Sequence, residues 1–151
     1  MNKKNLILSI AILGLLACSK EDPAPAKSKE ELLTNNNSKI WKKTETSTNG
    51  IPETLQDCEK DNTYTFKSDN KLDFGYGTNK CSSIETDNTG SWKFNQPKDS
   101  LTITIKITSG STTVTNDLKY KILELSESKL KLTLTYTFSG TAFTKQETYT
   151  P

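Results

Sequence analysis

Leu101, Ile103, Ile105 and Ile107 alternate with Thr102, Thr104, Lys106 and Thr108, and later Leu130, Leu132, Leu134, Tyr136 and Phe138 alternate with Lys129, Lys131, Thr133, Thr135 and Thr137. A period of two sorts side chains onto opposite faces of an extended chain, so both segments predict strands with one dry and one wet face. Less regular runs predict further strands over residues 39–46 around Trp41, 62–68 with Tyr64 and Phe66, 71–76 with Leu72 and Phe74, 90–96 with Trp92 and Phe94, and 142–149. Residues 112–125 carry Val114, Leu118, Tyr120 and Ile122 on one parity before Leu123 and Leu125 change it, which predicts a bulge or bend. Turn-forming residues separate these runs at Asn49-Gly50, Ser68-Asp69-Asn70, Asn88-Thr89-Gly90, Ser109-Gly110 and Ser139-Gly140. Ahead of them, Ser28 and Glu31 have capping-box spacing and Leu32-Leu33 supplies an apolar turn, so a short helix is expected, ending in Asn35-Asn36-Asn37.

No helical crossover separates any pair of the eight predicted strands, so the connections are hairpins and the sheet is antiparallel. Eight such strands bury their dry faces by rolling into an up-and-down barrel, which also removes the exposed edges. This all-β barrel with a short N-terminal helix, over residues 29–151, is expected in preference to a two-sheet sandwich. Its outer face, rich in threonine and lysine, suits water, whereas an outer-membrane barrel presents apolar side chains to lipid.

The N-terminus has a different pattern. Lys3 and Lys4 precede an apolar run over residues 6–16 that ends at Ala17-Cys18. The run is shorter than the ~20 residues a membrane helix needs and has the order of a secretory signal. Leu15-Leu16-Ala17-Cys18 resembles the bacterial lipobox, which implies cleavage after residue 17 and a diacylglycerol thioether on Cys18. Residues 18–28, with Pro23, Pro25 and charged neighbours, then read as the lipidated cysteine and an extended tether. The chain is thereby expected at an outer membrane, anchored by lipid and facing the periplasm or the cell surface. Ser19-Lys20-Glu21-Asp22 resembles the acidic export signal of surface lipoproteins; a solvated periplasmic linker is the other reading.

Cleavage would remove Lys3 and Lys4 and leave 18 basic against 18 acidic side chains, so no steering field is expected. All the basic residues are lysine; without arginine's planar fork, nucleic-acid partners are not expected. Histidine is absent, which removes the commonest general base and transition-metal ligand. No cofactor, metal or enzymatic activity is expected. Asp57, Glu59 and Asp61 open with calcium-loop spacing, but Asn62 stands where the sharp-turn glycine belongs and Ser68 where the closing glutamate belongs. Among the carboxylates, Asp73, Glu85, Glu124 and Glu127 sit in polar contexts rather than in an apolar one. With Cys18 taken by lipid, Cys58 and Cys81 form an even pair in an oxidising compartment and are expected to be bonded.

The order of landmarks from Leu32 to Leu134 includes a Leu-Leu pair before Trp41, Cys58 with Asp61, Tyr64 to Phe66, Asp69-Asn70-Lys71-Leu72, Cys81 and Gly90-Ser91-Trp92-Lys93, followed by the Leu/Ile ladder. This order resembles the lipocalin-like domains of lipoproteins from Gram-negative bacteria. The resemblance implies a barrel with a binding role and supplies no catalytic residues.

An eight-stranded barrel is just wide enough to be filled by side chains or to hold one small ligand. Trp41, Phe66, Phe74, Trp92, Tyr120 and Tyr136, with Leu132, are the candidate inward residues; core packing is the simpler reading of each, and ligand contact the sharper one. Two functions are expected from this. One is a monomeric, membrane-anchored protein binding a small apolar molecule or a glycan fragment within the barrel or at its mouth. The other is a filled barrel that docks on an envelope protein through residues 44–57 and 75–88.

Overall fold

The computed structural model describes residues 25–109 and 112–151. The expected signal run, Cys18 and the tether as far as Ala24 lie outside these residues. The described chain forms α1 (Lys29–Thr34), β1 (Ser38–Thr48), β2 (Ile51–Glu53), α2 (Asp57–Lys60), β3 (Thr63–Lys67), β4 (Lys71–Gly75), β5 (Asn88–Phe94), β6 (Ser100–Ser109), β7 (Thr112–Leu125), β8 (Leu130–Phe138) and β9 (Thr141–Thr150). Strands β1 and β3 to β9 pair antiparallel in chain order, and β9 returns to β1, so eight strands close a barrel. All eight expected strands are present.

β2 is an addition to that ring. Lys42 pairs with Thr63 of β3 on one edge and Thr150 of β9 on the other, while Thr46 pairs with Glu53 of β2 and Glu147 of β9. β2 therefore follows β3 along the same edge of β1, and the far half of β1 sits between β2 and β9. Residues 44–57, expected as a loop, instead contain the end of β1, a turn and β2. The turn is Asn49-Gly50, both at positive φ, the geometry that a two-residue hairpin needs. A register shift between Lys43 and Glu45 makes Thr44 a bulge in β1. A second shift, between Ile122 and Glu124, is the irregularity expected in β7, and it turns Leu123 outward.

α1 is set by its caps. Ser28 Oγ accepts from the Glu31 amide at 3.1 Å while Glu31 Oε2 accepts from the Ser28 amide at 2.7 Å, and Asn35 at φ 51° ends the helix. The helix closes one end of the barrel, which is ringed by the β3–β4, β5–β6 and β7–β8 turns. Lys29 donates to the Lys98 carbonyl, Lys98 pairs with Glu30, and Lys39 donates to the carbonyls of Leu32 and Glu127. Leu33 is the plug: it is fully buried, and its carbonyl accepts from Trp41 Nε1 at 2.9 Å.

Behind that plug lies the core of Trp41, Phe66, Leu72, Trp92, Leu101, Leu130 and Leu132, all buried. Burial of each such side chain contributes about 1.5–3 kcal/mol. The indole of Trp92 is satisfied as well, donating to the Lys67 carbonyl at 2.9 Å. Gly90, opposite Leu72 and Ile105, is required by close approach, because a Cβ there would run into the Thr104 carbonyl.

Candidate functional site in the open half of the barrel

Each inward row of side chains loses cover with distance from α1. Along β8 the row runs Leu130 (1% exposed), Leu132 (0%), the part-buried Leu134, Tyr136 (41%) and Phe138 (69%). On β7 it runs Tyr120, part-buried Leu118 and exposed Val114, and on β6 Leu101, Ile103 and part-buried Ile105. The barrel is thus filled at the α1 end and open at the other. The wall is also slit there, since β7 and β8 share register only from Lys121↔Thr133 to Leu125↔Leu130 and then continue with β6 and β9 respectively.

A polar layer lies between the filled and open halves. Glu147, buried on β9, accepts from Lys43 Nζ at 2.8 Å through one oxygen and from the Tyr149 hydroxyl at 2.8 Å through the other. Besides their burial, the Glu147 charge bears on the Tyr120 and Tyr64 phenols, raising both, while Lys145 stands 4.0 Å from Glu147. The aromatic rings pack edge to face, Tyr64 on Tyr149 at 5.2 Å.

Electrostatics fix the protonation of this layer. Burial alone would raise the Glu147 carboxyl, but the Lys43 ammonium and the hydrogen bonds from Lys43 and Tyr149 bring it below the ordinary carboxylate range. Burial would lower Lys43, yet its anionic and hydroxyl neighbours hold it above the ordinary lysine value. Burial raises Tyr64, Tyr120 and Tyr149. The layer is therefore a neutralised ion pair wrapped in protonated phenols, and it holds no free base at neutral pH. Asn62 precedes β3 on the inward row of Tyr64 and Phe66, and its Oδ1 is buried without a donor among the described residues.

The expected inward aromatics divide by depth. Trp41, Phe66 and Trp92 lie in the filled half with 0–4% exposure and are core rather than lining. Tyr120 belongs to the polar layer. Phe74 lies between Tyr64 and Tyr76, at ring distances of 4.7 and 4.6 Å, and Tyr136 stacks on Phe143 at 5.6 Å near the mouth. Sequence reasoning missed Lys43, Tyr64 as a polar group, Lys145, Glu147 and Tyr149. The available signal was Phe143, Lys145, Glu147 and Tyr149 sharing one parity, which places two charges on a face begun and ended by aromatics.

Over the mouth, Cys58 and Cys81 are bonded with Cα atoms 5.1 Å apart, tying α2 to the long loop after β4. Asp61 Oδ2 accepts from the amides of Thr78 and Asn79 at 2.9 and 3.0 Å, and Gly77 at φ 68° passes where a Cβ would meet that carboxylate. Asp57 pairs with Lys60, and Glu59 caps the Gln56 amide, so the three acids with calcium-loop spacing point to separate partners. Among the described residues no three His, Cys, Asp or Glu side chains gather as a metal shell.

A concavity of about 800 Å³ lies elsewhere, against the far half of β1, β2 and the chain leading to α2. Its other wall includes Lys131, Gln146 and Thr148, which alternate with core residues and so face away from the barrel interior. None of the six expected aromatics lines it.

A family model described as a lipocalin-like domain matches residues 38–132. Neither the curated proteins nor the solved structures give a match.

Proposed function

The chain belongs to the lipocalin-like domain family, and on that premise we propose that it is a membrane-anchored protein holding a small apolar molecule in the open half of its barrel. The family's barrel is a ligand-binding architecture rather than a catalytic one, and the buried ion pair offers no reactive group. The loss of cover along the inward rows carries the reading: Ile105, Leu118, Leu134, Tyr136 and Phe143 present apolar surface to a cup floored by the polar layer. Apolar walls with a few placed polar groups are what small-molecule sites consist of.

The anchor supports an orientation. A lipidated Cys18 would join α1 through residues 19–28, a tether of at most about 35 Å when extended. Because α1 closes the filled end, the cup and its crown would face away from the membrane. In the second reading, docking on an envelope protein, the crown around the Cys58–Cys81 bond is the contact surface. The half-exposed inner rows favour the first.

The test is a fluorescence titration of the full chain carrying Cys18→Ser with 11-(dansylamino)undecanoic acid. Saturable blue-shifted emission, lost in Leu134→Arg, is expected. Absence of saturable binding, with the fold intact by circular dichroism, overturns the cup and leaves docking.

A further inference from the structure

We propose that the recess beside β2, outside the barrel wall, is a second binding site and takes a neutral saccharide of about disaccharide size. Eight strands close the barrel without β2, so this strand and its recess are additional to what closure requires. Three residues outside the core cluster are nevertheless buried there: Thr46 on β1, Leu55 after β2, and Thr148 on the outward row of β9. The hairpin therefore forms a packed wall. The volume of about 800 Å³ falls within the ~300–1,000 Å³ that encloses a small organic ligand.

The lining selects the chemistry. Among the described residues the side chains of Lys131, Gln146, Ser47 and Thr54 have no hydrogen-bond or ion-pair partner, so donors and acceptors are offered together. Ligand hydroxyls, each able to donate and accept, answer these groups, while the larger apolar share of the lining meets the C–H faces of the rings. Lys60 is paired with Asp57 and Lys43 with Glu147, which leaves Glu45 and Glu53 against Lys131, so the recess has no surplus positive charge for a phosphate or carboxylate. Pro52 and Leu55 supply the apolar surface for the C–H face of a sugar ring.

Saturation-transfer NMR on the full chain carrying Cys18→Ser tests this, with maltose, cellobiose and N,N′-diacetylchitobiose as probes. Transfer to at least one disaccharide is expected. Binding should weaken about tenfold in Lys131→Ala/Gln146→Ala, for two ligand hydrogen bonds lost, at an unchanged melting temperature. Leu134→Arg, which blocks the cup, should leave it unaltered. No transfer from any of the three sugars, transfer that survives the double substitution, or displacement by inorganic phosphate would each overturn the proposal. Loss in Leu134→Arg would place the sugar in the cup and overturn it too, whereas failure of the dansyl acid to bind bears on the cup alone.

Discussion

Replacing Glu147 by glutamine removes one charge and keeps the side chain's shape. Lys43, its side chain 12% exposed, then loses the carboxylate 2.8 Å away and keeps the neighbouring Tyr64 phenol and the weaker pull of Glu59. Breaking one partner out of a buried pair costs ~3–5 kcal/mol, and the residual access of Lys43 to water places Glu147→Gln at the lower end, about 3 kcal/mol. Lys43→Met leaves the anion, but Tyr149 still donates to it and Lys145 stands 4.0 Å away, so about 2 kcal/mol is expected. The double substitution removes both charges and should be milder than the sum by at least about 1.5 kcal/mol. Urea unfolding followed by circular dichroism measures all four proteins, with an unchanged m-value as the check that the folded states correspond. The pH dependence adds a second readout. Glu147 titrates below its unfolded value, so its contribution is present above the ordinary carboxylate range and is lost as pH falls through the folded value. Wild type should therefore lose more stability on acidification from about pH 5 to 3 than Glu147→Gln does. A single-substitution cost under about 1 kcal/mol, or strict additivity, would refute the buried pair as described.

Cys58→Ser/Cys81→Ser opens a loop with a sequence separation of 23, worth about 3 kcal/mol in the chain-entropy model, and should lower the melting temperature by roughly 10 °C in calorimetry. Gly90→Ala drives a Cβ against the Thr104 carbonyl and should cost about 2–3 kcal/mol in the same unfolding assay; a neutral result would mean that β5 and β6 are further apart than described. Cys18→Ser should move the protein from the membrane to the soluble fraction on cell fractionation, and continued membrane retention would contradict the anchor.

The fold was legible because its strands carry the information locally. In β6 and β8 strict alternation fixes both the face and the register partner, and Ser28 with Glu31 encodes its own helix start. β2 escaped because Pro52 sits at the centre of its three residues, a residue that reads as a break and is tolerated because, among the described residues, β2 pairs with β1 alone. α2 escaped because four residues hold no periodic pattern. The polar layer was hidden for a different reason. Glu147 and Lys43 lie on separate strands, and only barrel closure pairs Tyr149 with Lys43, so each charge read alone as solvated. The fading of cover toward the mouth is likewise tertiary, since Leu130 and Phe138 carry the same parity signal while one is buried and the other 69% exposed.

The central claim is that the barrel is filled at one end and receptive at the other. Methyl-labelled NMR during titration with 11-(dansylamino)undecanoic acid addresses it directly. Shifts are predicted at the methyls of Ile105, Leu118 and Leu134, with Leu33, Leu72 and Leu101 unmoved. Shifts centred on those last three, or none at all, would contradict the account.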